Sequence, residues 1–140
     1  MKLLRSEGGQ SLVEFALVLP LVLLLITGLF DLARAAWQEN SLAFAAREGS
    51  RYAMVHGANS SLPLGPNSPS DPNIAAVVRQ NAVGVANISV TTSWPDGDNE
   101  RGMRVAVEAS APFVPLPSIY LLGGTFQITL RGGSQLVIEN

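Results

Sequence analysis

The chain has 140 residues, enough for one ordinary domain, with a formal net charge of −2 and only 14% charged against 47% apolar residues. An average soluble domain carries about 25% charged residues, so this composition excludes a disordered chain and gives no electrostatic case for a nucleic-acid partner. The absence of cysteine and the single histidine, His56, exclude disulfide frameworks, cysteine or histidine-cluster metal sites, thiolate nucleophiles and iron–sulfur clusters.

The first element is an apolar run. After MKLLRSEGGQ, the nineteen residues from Leu12 to Phe30 contain one charge, Glu14. As a helix they cover about 28 Å, close to the ~30 Å hydrocarbon core of a bilayer. Leu21 to Ile26 is unbroken aliphatic sequence, which leaves no polar face for a buried helix of a soluble protein. Lys2 and Arg5 precede the run, and that bias predicts a cytoplasmic N-terminus with everything after Phe30 outside. A cleaved secretory signal is the rival reading, with Ala33-Arg34-Ala35 as its cleavage site. The run is longer than a typical h-region and holds a carboxylate, so a retained membrane helix fits it better. Pro20, inside the run, predicts a kink.

Glu14 is the most informative residue of this element. A carboxylate inside a membrane helix costs a few kcal/mol on insertion scales, so it needs a partner or a use. One reading leaves it at the headgroup boundary, snorkelling to water. Another starts from its spacing to Gly8-Gly9. Were the chain cut after Gly9, the new amine at Gln10 would lie one helical turn from Glu14. In a subunit array, one chain's amine would then neutralise its neighbour's Glu14 at low dielectric.

From Asp31 to about Val55 the sequence still reads as helix, alanine-rich and without proline. Ala35, Leu42, Ala46, Gly49 and Ala53 form a seam of small side chains, and Ala33, Trp37, Phe44 and Val55 a bulkier stripe. An arc of Asp31, Arg34, Gln38, Ser41 and Glu48 lies between them. Two stripes predict a helix covered on two sides, one by its own domain and one by a neighbouring helix. The i,i+3 pairs Asp31/Arg34 and Glu48/Arg51 read as solvated helix support. His56-Gly57 closes the helix.

Residues 57–71 are rich in Gly, Pro, Ser and Asn and read as an irregular connection. Asp71-Pro72 is a helix start, with an N-cap aspartate and proline in the first turn. Ile74, Val77, Val78 and Ala82 give this short helix an apolar face, ending at Gly84. The period then shortens. Residues 87–94 and 103–110 alternate around the turn 95–102 and read as a β-hairpin, interrupted afterwards by Pro112, Pro115 and Pro117. Residues 125–130 and 134–138, either side of Gly132-Gly133, supply a third strand and a candidate fourth. The expected fold is therefore α+β: a long N-terminal helix running into a small head with a short helix and a 3–4 stranded antiparallel sheet.

The short basic leader, Gly9, four residues, Glu14 and a membrane helix resemble the processing site of type IV pilins and pseudopilins. Together with Glu14-Phe15 and the stretch ARAAWQENSLAFAAREGSRYA, they resemble the TadE-like (TadE/TadG) family of pseudopilins from tight-adherence (Flp-type) pilus systems. The resemblance is clearest over residues 6–56, weaker over 72–93 and general beyond. It implies cleavage between Gly9 and Gln10, and a recognition or assembly role for Glu14 and Phe15. It divides the chain into a leader (1–9), a transmembrane helix (10–30) and an extracytoplasmic head (31–140). Major type IV pilins usually place Phe at the new N-terminus, so Gln10 departs from them in a way that bears on N-methylation. The implied partners are the membrane, a prepilin peptidase, an inner-membrane pilus platform, the major pilin and sibling pseudopilins. The implied function is structural, in a pilus or a related secretion apparatus at the cytoplasmic membrane.

Other chemistry is weakly represented. Asp96-x-Asp98-x-Glu100 invites a calcium reading, but the glutamate that an EF-hand loop needs at position twelve is replaced by Val107. A hairpin turn accounts for those acids better. Asn87-Ile88-Ser89 fits a glycosylation pattern at the start of a strand. No nucleophile, base and orienting group can be assembled, and no glycine-rich phosphate loop is present. The sequence thus predicts no enzyme, no cofactor, no metal and no small-molecule substrate. The rival functions are a secreted binding domain released after Ala35 and a membrane-anchored hydrolase, for which no site is found.

Overall fold

The computed structural model describes residues 7–66 and 71–139. Lys2 and Arg5 of the expected leader, and residues 67–70 of the expected connection, lie outside the described residues. Helix α1 spans Glu7–Met54 and continues through Pro20. Helix α2 covers Pro72–Asn81, strand β1 Ser89–Ser93 and strand β2 Arg104–Phe113. Helix α3 covers Leu116–Leu122 and strand β3 Ile128–Val137. The sheet is antiparallel with order β1-β2-β3. The protein is α+β, as its alternation of periods predicts.

α1 has two regimes. Every residue from Gly9 to Ile26 is exposed, whereas Leu42, Ala45, Ala46, Gly49, Ser50 and Ala53 are buried. Among the described residues α1 is the one helix long and apolar enough to cross a membrane. Its second half is covered by α2 and by the inner face of the sheet. The core there joins Leu42 and Ala46 to Ile74 and Val78 of α2 and to Val105, Val107 and Ala109 of β2. Fully burying an aliphatic side chain of this kind stabilises by about 1.5–3 kcal/mol.

Small residues bring these layers close. A Cβ on Gly132 would overlap the backbone of α1, lying 2.5 Å from the Leu42 carbonyl carbon. A Cβ on Gly49 would lie 2.5 Å from Val78 Cγ2. Ser50 Oγ donates to Ser134 Oγ at 2.9 Å across the same interface. The expected break at Gly132-Gly133 is therefore a correction: the two segments are one strand, β3, and Gly132 lets it lie against α1. Its pairing with β2 is uninterrupted from Ile128 to Val137.

The strands have a direction relative to α1. Gly49 faces Val107, whereas Arg34, fifteen residues earlier, donates to the Val114 carbonyl. The Glu139 N–H reaches the Met54 carbonyl at 3.2 Å. β2 thus runs antiparallel to α1 and β3 parallel to it. The β2–β3 connection sits beside the exit of the apolar run, and the β1–β2 turn lies at the far pole.

Two further expectations are corrected. Pro112 ends no strand: it pairs with Thr129 inside β2. It lies beyond Ser110, where the pairing with β1 stops. There the strand has one neighbour and a missing N–H is tolerated. The proline-interrupted segment also holds α3, closed by Gly123 in the left-handed region with φ 60°. The N-cap of α2 is as expected, with Asp71 Oδ1 accepting from Asn73 N at 2.8 Å and Ile74 N at 3.3 Å. His56 Nδ1 lies 2.7 Å from the Tyr52 carbonyl at the end of α1.

Candidate functional site

The residues singled out by the leader motif lie on the first turns of α1. Gly9, Gln10, Glu14 and Phe15 are all exposed. Gln10 and Glu14 share a face, and Gln10 Nε2 donates to Glu14 Oε1 at 3.2 Å. Phe15 is 65% exposed and opens a sheath of exposed Leu, Val and Ile that reaches Phe30. The one hydroxyl in the middle of this sheath is paired internally. Thr27 Oγ1 donates to the carbonyls of Leu23 and Leu24 at 2.9 and 3.1 Å, as an apolar solvent requires.

At the exit of the sheath lies a polar knot, where the spacing alone predicts solvated helix support. Asp31 is only 6% exposed. Its Oδ2 accepts the Leu116 N–H at 2.6 Å, in the first turn of α3. Its Oδ1 makes an ion pair with Arg34 Nη1 at 3.4 Å, without hydrogen-bond geometry. Arg34 Nη2 donates to the Val114 carbonyl at 2.7 Å, and its guanidinium lies 4.7 Å from the centre of the Phe113 ring. The pair therefore clamps residues 113–116 onto α1. A charged pair directly after a membrane-length run was the visible signal; its partner, eighty residues away in sequence, was not. Glu48 and Arg51, by contrast, form an exposed pair at 3.2 Å.

The bulky stripe on α1 stays open, with Trp37 52% and Phe44 49% exposed. Only one of the two expected coverings is thus made by the head itself. A Cβ on Gly84, which has φ +73°, would overlap the Trp37 indole, so the loop after α2 rests on the edge of this stripe.

The acidic turn is built as a hairpin clamp. Arg104 Nη2 meets Asp96 Oδ1 at 2.6 Å, Arg104 Nε meets Oδ2 at 3.0 Å, and the Arg104 N–H donates to the same carboxylate at 2.8 Å. These hydrogen bonds from Arg104 hold the Asp96 pKa down at about 2. Asp98 Oδ1 instead accepts the neighbouring Asn99 N–H at 2.7 Å. Among the described residues no group of three or more His, Cys, Asp or Glu side chains is placed to hold a metal ion.

The long helix with its exposed apolar sheath, ahead of an α+β head, fits a single-pass membrane anchor. The sequence model of the TadE-like protein family matches residues 9–51, from the glycine of the leader motif to the buried half of α1. Over this segment the chain is similar to TadE-like proteins. Neither the curated proteins nor the solved structures yielded a match.

Proposed function

We propose that the chain is a minor pilin or pseudopilin that acts structurally in assembling or priming a tight-adherence (Flp/type IVb) pilus or a related secretion apparatus. One observation carries the reading. The TadE-like segment, residues 9–51, coincides with a helix whose first half is an exposed apolar sheath carrying a carboxylate at Glu14. On this reading a prepilin peptidase removes residues 1–9 and residues 10–30 stay in the cytoplasmic membrane. The head, 31–140, lies outside the cytoplasm. The platform, the major pilin and sibling pseudopilins are its partners.

Geometry supports retention of the helix over release after Ala35. Such a cut would discard Asp31 and Arg34, and with them the clamp on residues 113–116. The side-chain bond from Gln10 to Glu14 also suits a paired role for the carboxylate. Cleavage after Gly9 makes the Gln10 nitrogen an amine, and a neighbouring subunit's Glu14 neutralises it in the membrane.

Processing and assembly are separable by experiment. In cells with the cognate peptidase, intact mass places the mature N-terminus at Gln10. Gly9→Val keeps its leader, because the β-branch crowds the cut. Glu14→Gln is still cut but no longer co-purifies with the sibling pseudopilins. The amide keeps the shape, yet leaves an amine without a counter-charge, at a cost of about 3 kcal/mol on insertion scales. A mature start at Ala36 favours the secreted rival, and a start at Met1 sinks processing. Normal co-purification and piliation of Glu14→Gln make Glu14 a boundary carboxylate that merely snorkels.

A further inference from the structure

The pole of the head beside the apolar sheath carries no charge over a long stretch. From Ala109 to Leu130 there is no Asp, Glu, Lys, Arg or His in twenty-two residues. The far pole, by contrast, concentrates Asp96, Asp98, Glu100, Arg101 and Arg104 in one turn. Within this charge-free stretch α3 turns its large side chains outward. Tyr120 is 77% exposed, Leu121 69%, Leu122 58% and Phe126 53%. Contiguous apolar exposure of this kind on a small head marks a surface meant to be covered.

Three observations identify the cover. First, position: Asp31 holds Leu116 N and Arg34 holds the Val114 carbonyl, so α3 is fixed beside the last turn of the apolar run. Leu29 and Phe30, in the last turn of that run, are exposed as well. Second, several backbone groups of the segment are paired within it. Ile119 N bonds the Pro115 carbonyl, Gly124 N the Ser118 carbonyl and Thr125 N the Leu122 carbonyl. Ser118 Oγ also donates to the Phe126 carbonyl at 2.8 Å and accepts the Phe126 N–H at 3.1 Å. Pro115 and Pro117 have no N–H to pair. A segment that enters a lipid interface needs this internal pairing, because the bilayer offers none. Third, composition: a tyrosine beside two leucines and near a phenylalanine in sequence matches the aromatic and aliphatic residues found at the membrane–water boundary.

We propose that α3 and its closing loop, residues 116–126, form a second membrane contact. They insert Tyr120, Leu121, Leu122 and Phe126 into the lipid surface next to the point where α1 emerges. The head is then held at the bilayer by two attachments rather than hanging from one helix, and the Asp31–Arg34 clamp sets its orientation. Leaving the membrane for a filament would require extraction of this patch as well as of the helix.

The inference rests on the membrane-anchor part of the proposed function, and the test keeps the two apart. Because the chain lacks cysteine, single spin labels report one position each. The full chain, reconstituted in phosphatidylethanolamine–phosphatidylglycerol vesicles, is labelled through Leu21→Cys, Leu121→Cys, Tyr120→Cys or Asp98→Cys. Collision rates with oxygen, which partitions into lipid, and with a water-soluble nickel chelate are compared. The oxygen-to-nickel ratio is expected to be several-fold higher at positions 120 and 121 than at 98, approaching that at 21. A label at 21 that meets nickel as freely as one at 98 overturns the anchor, and this inference with it. A lipid-exposed label at 21 with nickel-exposed labels at 120 and 121 overturns this inference alone. Labels at 120 and 121 shielded from both reagents, and freed by diluting protein into excess lipid, mean a second protein covers α3 and also overturn it.

Discussion

A methyl group on Gly132 would meet the Leu42–Ala43 peptide of α1, whereas one on Gly133 would meet nothing nearer than the Val107 carbonyl oxygen at 3.9 Å. The two adjacent glycines are thus distinguishable. Gly132→Ala must push β3 off α1 against backbone atoms that cannot rotate away, and should cost at least about 2 kcal/mol. Gly133→Ala should cost less than about 1 kcal/mol. Urea unfolding of both variants in the same detergent micelles checks this; equal losses would refute the close-approach account of Gly132. Asp96 offers a second test at this scale. Its folded pKa, about 2, lies below the ordinary aspartate value near 3.8. Its contribution to stability is therefore present above about pH 4 and is lost as pH falls through about 2. Carbon-detected NMR should find its titration midpoint near 2, returning to the ordinary range in Arg104→Gln. An unchanged midpoint in that variant would remove Arg104 as the cause.

At the scale of elements, what was legible depended on whether the deciding contact was local. The two-regime helix could be read because membrane length and aliphatic continuity are local properties. So could the start of α2, where Asp71 bonds the N–H groups two and three residues on. The hairpin alternates cleanly, and its inward residues Val105, Val107 and Ala109 are buried as that alternation requires. The length of β3 and the candidate fourth strand stay open in the sequence because Gly-Gly is a turn signal. What makes it strand is the space α1 occupies across the sheet. α3 was hidden for a related reason: its prolines signal interruption, and its N-terminal partner is Asp31, eighty-five residues away. The leader motif needed no fold to be noticed. The Asp31–Arg34 clamp, which fixes residues 113–116 on α1, needed the fold.

The whole molecule divides its tasks along α1. The exposed sheath makes no part of the head's core, whose buried residues begin at Asp31 and Leu42. A fragment covering residues 31–140 should therefore fold by itself. Its helix should fray before Trp37, since the first turn loses its continuation, but a carboxylate at a helix N-terminus is favourably placed. Asp31 should still hold Leu116. Within this fragment Asp31→Ala leaves the part-buried Leu116 N–H without its acceptor, a loss of roughly 1.5–3 kcal/mol for a hydrogen bond to a charged group. For a domain near this size that lowers Tm by roughly 6–20 °C. Thermal melts followed by circular dichroism should show one cooperative transition for the fragment and a lower one for Asp31→Ala. A non-cooperative melt, or aggregation that no mild detergent prevents, would mean the head needs the membrane segment or a partner to fold. An unchanged Tm in Asp31→Ala would return the Asp31–Arg34 pair to surface support and leave α3 without its hold on α1.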